Sequence, residues 1–281
     1  MTVLVSVADL LSDGGRVVLL DVRWALGDDR GREKYRAGHL PGAVFVDLET
    51  ELADPASAAE GRHPLPSLQR LQASARGWGI RDGDAVVAYD ATGGLAAARA
   101  WWLLRWGGMS DVRLLDGGLD AWVTAGGPLE TGDVVPEAGD VTLTGGRMPV
   151  LSIDEAAAMP AAGGLLLDAR AGERFRGEVE PIDPRAGHVP GAVSAPTTEN
   201  LTDGRFRPAA ELAERFAEFG AVPGTTVGVY CGSGVTAAHE VAALAHVGIE
   251  AALWPGSWSQ WSADPGRPAE VGPGQPPVAA S

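Results

Sequence analysis

One motif occurs twice in this chain and constrains its fold more than any other feature. His39-Leu-Pro-Gly-Ala in the first half corresponds to His188-Val-Pro-Gly-Ala in the second half, 149 residues later. Before each copy lies an apolar run that ends in an acidic-x-Arg step, at residues 17–23 and 165–170. After each copy two more blocks match in the same order, residues 84–90 with 225–231 and residues 112–122 with 251–261. Four matched blocks in one order predict two duplicated domains.

Each half alternates apolar runs with helical patterns. The runs that open the matched blocks are short, apolar and followed by polar or small residues, which predicts buried strands. Helices are predicted at residues 68–78, 95–106, 209–219 and 235–246. This alternation predicts an α/β fold in which each half is a mainly parallel sheet flanked by helices.

The length and local composition suggest the boundaries. A chain of 281 residues favours two domains of ordinary size. We place the first domain at residues 1–126 and the second at residues 150–263. Residues 127–149 are rich in Gly, Pro and Thr without a helical period, which predicts an interdomain connector. Residues 264–281 are rich in Pro and Gly and are expected to form a flexible tail.

The composition excludes several classes of protein. There are 37 acidic and 22 basic residues, a net charge of −15, and no basic stripe, so we expect no nucleic-acid partner. No signal-like start and no long apolar run is present, so we expect no membrane partner and a cytoplasmic location. The one cysteine excludes an intramolecular disulfide and agrees with a reducing compartment.

Cys231 stands at the end of a predicted strand and directly before a predicted helix. The intervening turn, Gly232-Ser233-Gly234, can direct several backbone N–H groups at one point, which favours a thiolate at this position. A lone cysteine is more often a small buried apolar residue. The turn and its place at the carboxyl end of a sheet favour a nucleophile instead. The candidate anion-binding residues are Gly232, Ser233, Gly234, Val235 and Thr236.

The repeated His-x-Pro-Gly-Ala motif and the Cys231-Gly-Ser-Gly-Val-Thr-Ala loop together resemble the tandem-domain rhodanese family of thiosulfate and 3-mercaptopyruvate sulfurtransferases. The resemblance spans residues 3–262 and implies two tandem rhodanese-like domains. In that family the first domain is catalytically silent, and here Asp90 stands where Cys231 stands in the second half.

The resemblance also implies the reaction. Catalytic Cys231 would take a sulfane sulfur from a small-molecule donor, become a persulfide, and pass the sulfur to a thiophilic acceptor such as cyanide or a thiol, including a thiol carried by a protein. No cofactor and no metal is expected for this chemistry.

The resemblance bears on the donor as well. The neutral Cys-Gly-Ser-Gly-Val loop is similar to that of the mercaptopyruvate enzymes, which use two arginines to hold the substrate carboxylate and keto group. Arg174 matches the first arginine. The stretch expected to carry the second arginine reads Glu180-Pro-Ile-Asp-Pro-Arg185, so the matching position lacks it and Arg185 is a displaced candidate.

The mercaptopyruvate enzymes also contribute an acidic residue and a histidine that form a relay with the loop serine. His63 matches the histidine and is a candidate substrate-binding residue, and Glu49 takes the acidic place. Because the second arginine is missing, thiosulfate stays open as a donor beside mercaptopyruvate, which the loop favours.

Two other functions compete with sulfur transfer. A cysteine phosphatase carries an arginine six residues after its nucleophile, where this chain has Ala237, and no Arg or Lys occurs at residues 232–252. A non-catalytic sulfur-relay or binding module would keep the fold without the reactive cysteine, which the intact loop disfavours. His39 and His188 lie before Pro-Gly turns and are expected to bond to the backbone rather than to a metal.

Overall fold

The computed structural model describes residues 2–274 and divides into two compact units. The first unit contains residues 1–54, 65–148 and 203–206, and the second contains residues 55–64, 149–202 and 207–281. Residues 55–64 therefore group with the second unit, although they lie within the sequence range that we assigned to the first domain.

The first unit is built on a five-stranded parallel sheet. Its strands are β1 (Leu4–Val5), β2 (Val17–Asp21), β3 (Val44–Phe45), β4 (Ala85–Tyr89) and β5 (Val112–Leu115), in the order β1-β5-β4-β2-β3. Its helices are α1 (Val7–Ser12), α2 (Gly31–Ala37), α3 (Leu48–Glu51), α4 (Leu68–Gly77), α5 (Ala97–Trp106) and α6 (Gly118–Thr124). The central strand β4 is buried over its last four residues, as expected for a parallel strand covered on both faces.

The second unit repeats this plan with a four-stranded parallel sheet. Its strands are β6 (Leu165–Asp168), β7 (Val193–Ser194), β10 (Val227–Tyr230) and β11 (Ala251–Leu253), in the order β11-β10-β6-β7. Its helices are α7 (Ile153–Ala158), α8 (Gly172–Phe175), α9 (Ala209–Glu218), α10 (Thr236–His246) and α11 (Ser257–Ala263), with 3-10 turns at Pro160–Ala162 and Thr197–Asn200. Two short strands, β8 (Leu201–Thr202) and β9 (Arg205–Phe206), complete the described elements. The four predicted helices are confirmed within two residues, and the α/β prediction holds in both halves.

The acidic-x-Arg steps have the same role in both units. Arg23 binds Asp21 at the end of β2 and donates through Nη2 to the Gly38 carbonyl at 3.2 Å. Arg170 binds Asp168 at the end of β6 and donates through Nη2 to the Gly187 carbonyl at 2.7 Å. Each buried ion pair thus ties the end of a strand to the residue before the His-x-Pro-Gly-Ala motif.

A second feature that both units share is a backbone pairing after the last helix. Glu130 exchanges two backbone hydrogen bonds with His39, and Glu270 exchanges two with His188. The local sequences are alike, Gly-Gly-Pro-Leu-Glu130 and Gly-Arg-Pro-Ala-Glu270. This pairing ties the chain after α11 to the second unit. The flexible tail was predicted to begin at residue 264, so its first part differs from that prediction. The rest of the predicted tail, residues 275–281, lies outside the described residues.

The predicted connector also packs closely. In residues 127–148 the backbone N–H groups of Val141 and Thr144 donate to Ile80 and Gly107 of the first unit, and Val141 and Leu143 are buried. These backbone hydrogen bonds join the segment to other parts of the unit rather than to nearby residues of the segment itself. Its sequence therefore shows no helical period. No helix in the described part of the chain is long and apolar enough to cross a membrane.

Candidate active site

Cys231 lies directly after β10, a strand with neighbours on both sides in the second sheet, and is 2% exposed. The backbone N–H of Gly234 donates to Cys231 Sγ at 3.1 Å. Helix α10 begins at Thr236, so the predicted order of strand, turn and helix is present. Gly232, Ser233, Gly234 and Val235 are all buried around the cysteine.

The turn before α11 supports the cysteine loop from one side. Ser257 Oγ accepts the Cys231 N–H at 3.1 Å, and the N–H of Trp258 donates to the Cys231 carbonyl at 2.9 Å. Ser257 has φ of 51°, a left-handed conformation that is uncommon for a serine. A Cβ on Gly234, which has φ of 77°, would lie 2.5 Å from the Pro255 carbonyl oxygen, so only glycine fits there.

Ser233 and His63 form a buried pair beside the cysteine. His63 Nδ1 lies 2.7 Å from Ser233 Oγ, and the two side chains are 4% and 7% exposed. His63 comes from residues 55–64, the segment that groups with the second unit. The residues are separated by 170 positions in sequence, and the fold brings both to the loop that carries Cys231.

Two guanidinium groups lie over Gly232, the residue after Cys231. A Cβ placed on Gly232 would lie 3.0 Å from Arg62 Nη2 and 3.4 Å from Arg174 Nη1. Arg174, a candidate from the sequence, thus lies at the cysteine loop. Arg62, the residue before His63, was not predicted as a site residue, although its adjacency to His63 is a signal that could have pointed to it.

Acidic residues hold these two arginines. Arg174 Nη2 donates to Glu180 Oε1 at 2.7 Å and to Asp183 Oδ2 at 3.2 Å, while Arg62 Nη1 donates to Asp183 Oδ1. Burial raises the pKa of Asp183, and the charge of Arg62 opposes that effect. Asp183 therefore bridges the two cations from inside the protein.

Arg185, the displaced candidate for the second arginine, lies in contact with the backbone at the end of α11. Its guanidinium donates to four backbone carbonyls at the end of α11 and just beyond it, those of Trp261, Ser262, Asp264 and Arg267, at 2.6–2.9 Å. All three guanidinium nitrogens of Arg185 thus donate to backbone groups. The prediction that Arg185 binds substrate stays a prediction.

Glu49 belongs to the first unit and follows Asp47 in α3. Its carboxylate accepts the indole N–H of Trp24 at 2.7 Å. Both residues line a cavity of about 590 Å³ in that unit, together with Arg32 and Asp47. Glu49, which the resemblance assigns to the acidic place of the relay, thus accepts a hydrogen bond from Trp24.

The first unit carries the same loop with a different occupant. Asp90, 1% exposed, stands at the place of Cys231 and accepts four backbone N–H groups. Its Oδ1 accepts from Thr92 and Gly94 at 2.8 Å, and its Oδ2 accepts from Ala96 and Ala97 at 2.8 and 3.0 Å. This loop geometry therefore holds a full negative charge, here the protein's own carboxylate.

The histidines of the repeated motif bond to the backbone. His39 Nδ1 lies 2.9 Å from the Tyr35 carbonyl oxygen and His188 Nδ1 lies 2.8 Å from that of Phe175, which confirms the predicted backbone role. Between residues 2 and 274 no group of three or more His, Cys, Asp or Glu side chains is placed to hold a metal ion.

Comparison with known proteins agrees with this geometry. The profile of the rhodanese-like domain matches residues 4–125 and again residues 152–264. A putative thiosulfate sulfurtransferase, SseB, of Mycobacterium tuberculosis is 51% identical over 267 residues, which cover 93% of each chain. A probable 3-mercaptopyruvate sulfurtransferase of Pseudomonas aeruginosa is 48% identical over 91% of this chain and 93% of its own length.

A solved structure extends the comparison to the fold. The crystal structure of SseA from Escherichia coli, described as a 3-mercaptopyruvate sulfotransferase with the rhodanese fold, superposes with a TM-score of 0.81 at 32% identity. The match covers 92% of this chain and all of the other. With both repeats matched by the domain profile and close relatives matched along nearly the whole chain, this protein belongs to the rhodanese family and is a sulfurtransferase with two tandem rhodanese-like domains.

Proposed function

We propose that this sulfurtransferase takes sulfur from 3-mercaptopyruvate onto Cys231. The Cys231 thiolate attacks the donor sulfur and forms the S–S bond of a persulfide, while the C–S bond breaks and its electron pair stays on carbon. The carbon fragment is the enolate of pyruvate, and it becomes pyruvate when the proton of the donor thiol is moved to its methyl carbon. No oxidant or reductant is needed.

The hydrogen bond between His63 and Ser233 carries this proposal. Pyruvate leaves only when its carbon gains a proton, so a mercaptopyruvate enzyme requires a proton carrier beside the cysteine. The Ser233 hydroxyl, 2.7 Å from His63 Nδ1 and two residues from Cys231, is suited to that task. Thiosulfate needs no such group, because sulfite leaves as a stable dianion.

The loop amides are suited to holding the persulfide anion. The Gly234 N–H already donates to Cys231 Sγ at 3.1 Å. In the first unit the matching loop directs four N–H groups at the Asp90 carboxylate. By this internal analogy we assign Gly232, Ser233, Gly234, Val235 and Thr236 to the binding of the anion that forms on Cys231.

Thiosulfate is the second candidate donor. Arg62 and Arg174 place two positive charges beside Gly232, and a thiosulfate dianion would be attracted to them as well. The Mycobacterium tuberculosis relative at 51% identity is named for thiosulfate. With this donor the Cys231 thiolate forms the same persulfide and releases sulfite.

The acceptor reaction restores the enzyme. Cyanide attacks the outer sulfur of the persulfide. Thiocyanate is released, and the Cys231 thiolate is regenerated on the protein. A thiol acceptor, small or carried by a protein, would react in the same way and receive the sulfur as its own persulfide.

The deciding experiment measures thiocyanate formation with each donor separately, with Cys231→Ser as the blank. We expect the wild-type protein to prefer 3-mercaptopyruvate in kcat/KM and the Cys231→Ser protein to lose activity by at least about 1000-fold, because a serine hydroxyl cannot form the persulfide. A preference for thiosulfate would replace the proposed donor, and activity in the Cys231→Ser protein would overturn the proposed nucleophile.

A further inference from the structure

The mercaptopyruvate enzymes carry their second arginine in a Glu-Pro-Arg-type stretch, and this chain has Ile182 at the matching position with the acidic Asp183 next to it. In Glu180-Pro-Ile-Asp183 the carboxylate of Asp183 has a side-chain exposure of 3% and faces inward. A buried carboxylate at this position would repel the carboxylate of a keto acid unless a cation is bound to it. Asp183 binds two cations, Arg174 and Arg62.

The hydrogen bonds of Arg62 fix its orientation. Nη1 donates to Asp183 Oδ1, and the backbone N–H of Arg62 donates to Ser259 Oγ at 3.1 Å, so both ends of the residue are held. The other terminal nitrogen, Nη2, is the one that lies over Gly232. Nε of Arg62 is buried without a hydrogen-bond partner among the described residues, and Nε of Arg174 is in the same condition.

The space over Gly232 therefore has donors on two sides. Arg62 Nη2 and Arg174 Nη1 lie 3.0 and 3.4 Å from the point where a Cβ would stand, and glycine leaves that point empty. Two N–H donors from separate guanidinium groups can bind the two oxygens of one carboxylate, each through a charge-assisted hydrogen bond. The adjacent residue is the nucleophile, Cys231.

We infer that Arg62 is the second arginine of this site: together with Arg174 it binds the carboxylate of an α-keto thiol donor, and Asp183 holds it in position. The inference rests on the proposed donor. It assigns to the segment before His63 a role that the family's pattern places after Arg174, and it gives Asp183, the residue after the matching position, a function as the anchor of Arg62.

The test compares two donors that differ only in the carboxylate. These are 3-mercaptopyruvate and 1-mercaptopropan-2-one, which keeps the keto group and the thiol. For Arg62→Gln we expect kcat/KM with mercaptopyruvate to fall about 10- to 100-fold, mainly through KM, because a charge-assisted hydrogen bond is lost. With mercaptopropanone the fall should be less than about 3-fold, since this donor makes no bond to the missing group.

Two further variants and one measurement serve as controls. Arg62→Lys keeps the charge but not the planar fork, and should recover only part of the mercaptopyruvate KM. Arg176→Gln removes an exposed arginine, paired with Glu178 in the same region, and should match the wild type. Equal rates of Cys231 alkylation by iodoacetamide in all variants would show that the loop is intact.

The outcomes separate this inference from the proposed function. If wild-type protein transfers sulfur from mercaptopyruvate but Arg62→Gln slows both donors equally, Arg62 has only a structural role and the inference is wrong. If Arg62→Gln leaves both donors unaffected, the inference is also wrong. If the wild-type protein accepts sulfur from thiosulfate alone, the proposed donor fails, and the inference with it.

Discussion

At the scale of single residues, the chemistry of this site depends on small side chains beside Cys231. Gly232 leaves room for two guanidinium nitrogens, and Gly234 adopts a left-handed conformation that turns its N–H toward the cysteine sulfur at 3.1 Å. Ser233, between them, has its hydroxyl oxygen 2.7 Å from His63 Nδ1.

Ser233→Ala isolates the proposed proton transfer. We expect kcat with 3-mercaptopyruvate to fall by about 100-fold, in the range typical for loss of a general acid, because pyruvate release needs a proton. The rate with thiosulfate should change by less than about 3-fold, since sulfite leaves unprotonated. Steady-state kinetics with both donors on the same preparation provide the comparison, and an equal loss with both would contradict the relay.

At the scale of the elements, helix α10 connects the cysteine loop to a buried polar cluster. Glu240 on this helix is fully buried, and its Oε2 accepts from Asn200 Nδ2 at 2.6 Å. Burial raises the pKa of the Glu240 carboxyl from its usual 4.5 to about 7, against the opposing hydrogen bond of Thr197 and the charge of Arg215. The helix that begins beside the nucleophile therefore contains an acid that titrates near neutral pH.

The sign of the resulting pH dependence is fixed by the raised pKa. Because the folded protein binds the Glu240 proton more tightly than the unfolded chain, its contribution to stability is present below about pH 4.5 and is lost as the pH rises to about 7. Glu240→Gln has no carboxyl at this position and does not lose this contribution. When the pH is raised from 5 to 8, we expect the unfolding free energy of the variant to increase by about 2 kcal/mol relative to that of the wild type.

Urea unfolding at the two pH values measures this difference. Glu214→Gln, which makes the same change on the exposed face of α9, serves as the control and should show no such gain. An identical pH dependence in wild type and Glu240→Gln would show that Glu240 does not titrate in this range.

At the scale of the whole molecule, the two repeats use one loop design for two purposes. In the first unit the loop after β4 is filled by Asp90, and four backbone N–H groups are satisfied by its carboxylate. In the second unit the loop after β10 carries Cys231, and the Gly234 N–H donates to its sulfur at 3.1 Å. The first unit thus supplies its loop with a carboxylate of its own.

Asp90→Ala tests the structural half of this comparison. Four buried N–H groups would lose their acceptor together, so we expect the free energy of unfolding to fall by about 3 kcal/mol or more. Asp120→Ala, at an exposed position of α6, should change it by less than about 0.5 kcal/mol. Chemical denaturation followed by circular dichroism gives both values, and a loss for Asp90→Ala no larger than that of the control would refute the role of the carboxylate.

The sequence alone determined the duplication, the α/β architecture and the position of the candidate nucleophile at the end of a strand. These features follow from local signals, namely repeated motifs, apolar runs and glycine turns, which act over a few residues. The closing segments that end in Glu130 and Glu270 share a local signal too, the Gly-x-Pro-x-Glu pattern, which forms a fifth repeated block.

Only the tertiary structure decided which arginines lie over Gly232, the residue after Cys231. Arg185 appeared to be the replacement by its place in the sequence, yet it binds carbonyls at the end of α11, while Arg62 reaches the loop through Asp183, 121 residues away. The bond between His63 and Ser233 spans 170 residues. Pairings of this kind depend on where distant strands and loops are packed, and a sequence pattern records that packing only indirectly.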